Sequence, residues 1–220
     1  PVELESVKNE LSTEEWCSVM RQAGKMGILQ VHLSGGEPTA RKDLEEIVKT
    51  AADAGLYTNL ITAAVNVKRE RLEKLQELGL DHVQVSVQDV DPAGADRIGA
   101  FKNALEKKLV FARWVTELGM PLSVNAPIHR HYIHNVPRYI DLAVDLGAQR
   151  IEIAHAQYYG WAFLNRAALI PTYEESIASI EYVEAARERL KGVLNIDMVV
   201  PDYYANRPKP CMGGWGKGFM

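Results

Sequence analysis

The chain has 220 residues, with 25 Lys+Arg against 29 Asp+Glu and a formal net charge of −4. That length suits a single α/β domain, which commonly runs to about 200–250 residues, and 47% hydrophobic with 25% charged residues is the make-up of an ordinary globular protein. The acidic balance argues against a nucleic-acid partner, which needs clustered Lys and Arg for phosphate, and no apolar run approaches the roughly 20 residues of a membrane span.

The first helix is announced by Ser12-Thr13-Glu14-Glu15, a capping box in which Ser12 and Glu15 satisfy each other's backbone N–H groups, and it runs to about Lys25. Five apolar, β-branched-rich runs follow: Ile28–Leu33, Tyr57–Thr62, His82–Gln88, Leu122–Ile128 and Arg150–His155. Between them lie helical stretches at Arg41–Ala54, Lys68–Leu78, Leu105–Leu118 and Val136–Leu146, which stop at Gly55, Gly79, Gly119 and Gly147. A glycine just past a helix takes the left-handed conformation at little cost. In the helix after the second run, Glu70 and Lys74 are spaced to pair across one turn. Glu174–Leu190 is a long amphipathic helix, and a sixth run, Leu194–Val200, follows it. Alternating strands and helices suit a doubly wound open sheet or a (β/α) barrel, and units of this regularity, without a reversal point, favour a full or partial barrel of parallel strands. The apolar runs predict a sheet covered by helices on one face and filled on the other.

In such barrels the chemistry sits at the C-terminal ends of the strands. The first end runs into Ser34-Gly35-Gly36-Glu37-Pro38. Its glycines free the backbone to face a ligand, and the Glu37 carboxylate suits an ammonium or a pair of hydroxyls better than an anion. The second end offers the Thr62 hydroxyl. The third offers Ser86 and Gln88 on one face, and the fourth offers Asn125. At the fifth, His155-Ala156-Gln157-Tyr158-Tyr159-Gly160-Trp161 puts amphipathic aromatics where a pocket mouth would lie. His129-Arg130-His131 with His134 has no acidic or cysteine ligand at suitable spacing and reads as a solvated basic loop, not a metal site. Cys17 follows Trp16 in the first helix and reads as a core thiol. The two cysteines lie too far apart for a disulfide framework, which points to a reducing cytoplasm. Cys211 stands in Arg207-Pro208-Lys209-Pro210-Cys211-Met212-Gly213-Gly214-Trp215-Gly216, an exposed loop by composition, where it could join other thiolates at an iron–sulfur site. The chain begins at Pro1 and stops soon after this loop, so it is expected to be the middle of a longer protein.

Ser34-Gly35-Gly36-Glu37-Pro38 after a strand resembles the GGE motif of the radical S-adenosylmethionine (radical SAM) enzymes. Further strings resemble the SPASM-type members of that family that act in pyrroloquinoline quinone (PQQ) biosynthesis. They are Leu11-Ser12-Thr13-Glu14-Glu15-Trp16, Tyr57-Thr58-Asn59-Leu60-Ile61-Thr62, Gln157-Tyr158-Tyr159-Gly160-Trp161-Ala162, Leu164-Asn165-Arg166-Ala167 and Pro201-Asp202-Tyr203-Tyr204, together with the Cys211 string. The resemblance spans essentially the whole chain. It departs at Ala63-Ala64, where a turn with glycine is more usual, and in the Cys-x-x-x-Cys-x-x-Cys motif, which the family carries upstream of the present start.

The resemblance implies a fold and a reaction. Residues 1–192 would be a radical SAM partial (β/α)6 barrel lacking its first strand and cluster loop, and residues 193–220 a linker and the beginning of a SPASM domain. A [4Fe-4S] cluster, with ligands upstream of this chain, would cleave S-adenosylmethionine to a 5′-deoxyadenosyl radical. The radical would start a Glu–Tyr carbon–carbon crosslink in the precursor peptide PqqA. Gly35, Gly36 and Glu37 would hold the methionine end of the cofactor, and Ser86, Gln88 and Asn125 its ribose and carboxylate region. Tyr158, Tyr159 and Asn165 would face the peptide. Cys211 would ligate an auxiliary iron–sulfur cluster. The peptide chaperone PqqD and an electron donor such as flavodoxin would be partners. Without the three upstream thiolates, these residues alone are expected to be inert. Glu37→Ala is expected to weaken cofactor binding with the fold intact. The open alternatives are another SPASM-type enzyme, forming a thioether or formylglycine, and a cluster-free barrel that only binds a ligand.

Overall fold

The computed structural model describes residues 10–99, 101–157 and 160–199. Six strands, β1 (Gln30–Leu33), β2 (Tyr57–Thr62), β3 (His82–Ser86), β4 (Leu122–Ile128), β5 (Arg150–His155) and β6 (Asn195–Val199), pair in sequence order. Every pairing is parallel. A parallel sheet whose neighbours follow the chain, joined by right-handed crossovers, collects its helices on one face. The other face is left concave, as in a partial barrel. β6 lies beyond residue 192 and is still hydrogen-bonded into the sheet beside β5.

The helices are α1 (Thr13–Lys25), α2 (Leu44–Asp53), α3 (Arg69–Glu77), α4 (Pro92–Gly99), α5 (Ala104–Glu117), α6 (Val136–Asp145), α7 (Gly160–Leu164), α8 (Arg166–Leu169) and α9 (Tyr173–Arg189). The capping box is present at α1, and a second one, Thr172 with Glu175, opens α9. Gly55, Gly79, Gly119 and Gly147 all have positive φ, so the helix stops expected from the glycines are real. Two details differ from the sequence reading. The helix before Gly55 starts late, because Pro38–Ala40 forms a separate 3-10 turn. Lys74 pairs with Glu77 at 3.2 Å, while Arg69 meets Glu73 at 3.0 Å. The sequence reading also missed α4, whose Pro92-Ala93-Gly94 opening looks like a turn. Proline is favoured in a first helical turn, where its lacking N–H is not needed. The short α7 and α8 were missed as well.

Burial alternates along β3 and β5, with Val83, Val85, Ile151 and Ile153 turned into the helices. On the helix side these valines and isoleucines join Phe111 and Val115 of α5 and Tyr139 and Ile140 of α6 in one apolar core. The concave side is not filled in this way. Its rows, taken from the strand register, are His32–Asn59–His82, then Ile61–Gln84–Ser123–Arg150–Asn195, then Ser86–Asn125–Glu152–Asp197. Polar side chains dominate all three. Short strands read as apolar because every second residue is, and the intervening ones line the concave face, where Asn59 and Ser123 are nonetheless buried.

The loop between β3 and α4 is pinned by the buried Asp89, whose Oδ1 accepts from Asn135 Nδ2 at 3.0 Å and from the Asp91 amide at 3.1 Å. Gly94 lies against the same carboxylate. A Cβ there would come 2.8 Å from Asp89 Cγ and overlap its second oxygen. Gly94→Ala is therefore expected to destabilise the protein by about 2 kcal/mol, the usual cost of overpacking. A thermal melt that matches wild type would refute this account of the loop.

Candidate functional site

The polar residues at the C-terminal ends of β1–β4 do converge. β1 leads into Ser34, Gly35 and Gly36, all exposed. Gly35 has φ of 127°, a conformation that disfavours any side chain. No turn or loop backbone hydrogen bond engages these three residues among the described residues. Beyond them Glu37 folds back. Its Oε1 accepts from the Thr39 amide at 3.0 Å, the Thr39 hydroxyl at 2.6 Å and the Thr62 hydroxyl at 2.7 Å. Its Oε2 accepts from the Ala63 amide at 2.8 Å. The pair of hydroxyls that the sequence reading sought for Glu37 is thus the protein's own. The carboxylate ties the end of β1 to the end of β2, and Oε2 retains one lone pair for an incoming donor. Thr62 is spent in the same brace: its hydroxyl donates to Glu37 and accepts from the Ala64 amide at 2.9 Å. Ala64 itself has φ of 57°, so the alanine at this turn holds a glycine-like backbone.

At the end of β3 the sequence reading missed the central residue, Lys108. It lies on α5 among Ala104, Phe111, Ala112 and Val115, and is only 3% exposed. Nζ donates to the Ser86 carbonyl at 2.7 Å and to the Gln88 side-chain oxygen. Burial pushes the ammonium down to about 8, against a smaller opposing pull from the Glu37 carboxylate. None of the ion pairs among the described residues includes Lys108. An ammonium has three donors, and these two bonds leave one N–H over. A buried cation in no ion pair, with Glu37 acting on it only at a distance, can take up an anionic group. The signal was legible: positions 104, 108, 111 and 115 form one helical stripe, and a lysine stands where an apolar residue belongs.

Ser86 and Gln88 therefore come together as expected, but each is already engaged by Lys108, through a main-chain and a side-chain oxygen respectively. The Gln88 carbonyl also accepts from the buried Tyr139 hydroxyl at 2.9 Å. Asn125 stands opposite Ser86 in register and donates to Glu152 on β5 at 3.0 Å. Asn165 is exposed at the N-cap of α8. That segment is tied to the loop after β4, where the Arg130 amide donates to the Leu169 carbonyl and its guanidinium to the Ala167 carbonyl. Tyr158, Tyr159 and Cys211 lie outside the described residues.

Lower on the concave face, His82 bridges Ser123, 2.9 Å from Nε2, and Tyr57, 3.5 Å from Nδ1. Burial, then Arg150 and His32, hold the His82 ring below the ordinary histidine range. A cavity of about 540 Å³ lined by Arg150, Arg187, Lys191 and Asp197 opens at the opposite, N-terminal end of β5 and β6. Its arginines are paired with Asp197 and Glu184, so it does not compete with the strand-end site as a centre of chemistry. Among the described residues no helix is long and apolar enough to cross a membrane.

Comparison with known proteins agrees with this fold. Residues 3–143 match the model of the radical SAM superfamily. A curated PqqA peptide cyclase from Methylorubrum extorquens is 57% identical over 220 residues, all of this chain and 57% of that protein. The chain thus spans little more than half the length of such relatives. Among solved structures, SuiB of Streptococcus suis bound to its precursor peptide SuiA superposes with a TM-score of 0.74 at 19% identity, over 90% of this chain and 44% of that one. SuiB bound to S-adenosylmethionine gives a TM-score of 0.72 at 18% identity, over 89% and 45% of the respective chains. At that identity the likeness establishes the fold.

Proposed function

This chain belongs to the radical SAM superfamily, and we propose that the protein it comes from is a PqqA peptide cyclase, forming a Glu–Tyr carbon–carbon crosslink in the PqqA precursor peptide during PQQ biosynthesis. The observation that carries the reading is the 57% identity to curated PqqA peptide cyclases along all 220 residues.

The residues at the strand ends suit S-adenosylmethionine, whose methionine end carries an ammonium and a carboxylate. The free lone pair on Glu37 Oε2 and the exposed backbone of Ser34, Gly35 and Gly36 accept from the ammonium. The spare N–H of Lys108 donates to the carboxylate. Ser86, Gln88 and Asn125 line the ribose side. When bound at its [4Fe-4S] cluster, held by cysteines outside this chain, the cofactor supplies a hydrogen-abstracting radical. The chain's part is to fix the orientation of the cofactor and to shape the concave face beneath it for the peptide, with Tyr158, Tyr159 and Asn165 at the peptide-facing mouth. Cys211 ligates an auxiliary iron–sulfur cluster of a SPASM extension. PqqD presents the peptide, and a flavodoxin-like donor reduces the cluster in a reducing cytoplasm.

The test is anaerobic reconstitution of the full-length protein with S-adenosylmethionine, a reductant, PqqA and PqqD, followed by peptide mass spectrometry. The expected product has lost two hydrogen atoms and fragments as a Glu–Tyr loop. Cofactor cleavage with PqqA left unmodified would overturn the assignment in favour of another precursor peptide.

A further inference from the structure

We propose that Arg71 is a positioning residue of the cofactor site: from α3 it fixes the turn that aims the Glu37 carboxylate at the ammonium of S-adenosylmethionine. The proposal rests on the cofactor role read for Glu37 above and deepens it, adding a residue that lies away from the strand ends.

Pro38–Ala40 is a single 3-10 turn. So short a turn leaves its last carbonyls without donors of its own. Arg71 supplies them. Its Nη1 donates to the Thr39 carbonyl at 2.5 Å and its Nη2 to the Arg41 carbonyl at 2.6 Å. Its Nε and Nη2 also donate to the two carboxylate oxygens of Glu45 on α2, at 2.7 Å and 3.1 Å. Four of the five guanidinium donors are thereby engaged. The side chains of Arg71 and Glu45 are 27% and 29% exposed, so the clamp is partly shielded from water. The Arg71 guanidinium holds the Glu45 carboxyl below its ordinary range, against the opposing effect of burial.

Thr39 is held from both sides. Its carbonyl accepts from Arg71, while its amide and hydroxyl both donate to Glu37 Oε1. Thr62 donates to that same oxygen. With Oε1 anchored to the clamped turn, Oε2 is left on the Ala63 amide with a lone pair for a ligand. A carboxylate already fixed in place gives up little rotamer freedom when its ligand arrives. No hydrogen bond among the described residues joins Arg71 to Glu37 directly, so the effect passes through Thr39. A lysine ammonium is a point charge without the planar fork that spans two carbonyls and a carboxylate.

The test is anaerobic calorimetry of S-adenosylmethionine binding to the reconstituted full-length enzyme, with thermal melts alongside. It compares wild type, Arg71→Met, Glu37→Ala and the double variant. Arg71→Met is expected to bind the cofactor about tenfold more weakly, the lower end of what a partner that orients a binding group is worth. Added to Glu37→Ala, it is expected to cost no further affinity, because the group it positions is gone. A residue that only stabilised the fold would lower the melting temperature and leave affinity as in wild type. That result overturns the proposal, as does an equal loss of affinity in both backgrounds. Arg71→Lys keeps the charge without the fork and is expected to share the loss; wild-type affinity in it overturns the clamp. If Arg71→Met does not fold, Arg71→Lys is read in its place, alone and with Glu37→Ala. Glu37→Ala that binds as tightly as wild type overturns instead the cofactor role of Glu37.

Discussion

Lys108→Met in the full-length enzyme is expected to weaken S-adenosylmethionine binding about 30-fold, the range for a hydrogen bond made by a charged donor. The fold should tolerate the change, because methionine fills much the same volume among Ala104, Phe111 and Val115 and removes a charge that burial disfavours. The pH dependence separates this role from simple packing. The lysine binds an anion as its ammonium, and burial brings that ammonium's pKa down to about 8. The ratio of wild-type to variant affinity should be flat below about pH 8 and shrink about tenfold per pH unit above it. Taking the ratio cancels titration of the cofactor's own amino group. Stability runs in the opposite sense. Between the folded value of about 8 and the ordinary 10.5, the unfolded chain holds more protons, so wild-type stability gains with rising pH over that window and the variant lacks the gain. Calorimetric titrations from pH 6.5 to 9.5, about the buffered range that spans the lowered lysine, would decide. Equal affinities at every pH would remove Lys108 from the cofactor site.

Glu37→Ala is expected to cost both binding and stability. The sequence reading assigned the carboxylate to the cofactor alone, with the fold indifferent to its loss. The structure makes it a brace as well, since it accepts from Thr39, Thr62 and Ala63 and so joins two strand ends. Hydrogen bonds to an ionised acceptor are worth about 1.5–3 kcal/mol each when well buried, and this site is only half-buried. The expected loss is about 2–3 kcal/mol, with S-adenosylmethionine affinity down at least about tenfold because the turn at Gly35 and Gly36 loses its support. Glu37→Gln keeps one oxygen for the threonines but sets an NH2 against the Ala63 amide, so a loss of about 1 kcal/mol is expected. Thermal melts with calorimetry on all three proteins provide the check. An Ala variant as stable and as tight-binding as wild type would sink both roles of Glu37.

Much of the scaffold could be read before any coordinates. The six strands sit where the apolar runs are, and the helices before Gly55, Gly79, Gly119 and Gly147 end at those glycines, because a strand's period and a helix's stop are set by residues within a few positions of each other. The order of the units also implied the curled parallel sheet, since crossover handedness leaves few choices. The strand-end residues Glu37, Ser86, Gln88 and Asn125 became candidates for the same reason: topology says which end of each strand carries the chemistry in such folds.

The pairings at that end are another matter. Lys108 reaches Ser86 across 22 positions of sequence, and Thr62 reaches Glu37 across 25. Arg71 reaches the Thr39 carbonyl across 32. Such contacts depend on strand register and helix docking, and no local pattern of residue types encodes them. The chain order of the residues was therefore enough to nominate the candidate site. The packed fold was needed to say that its glutamate is a brace, that its cation is a lysine borrowed from a core helix, and that the concave face is polar. Each of these follows from which atoms burial leaves with a partner and which it leaves without.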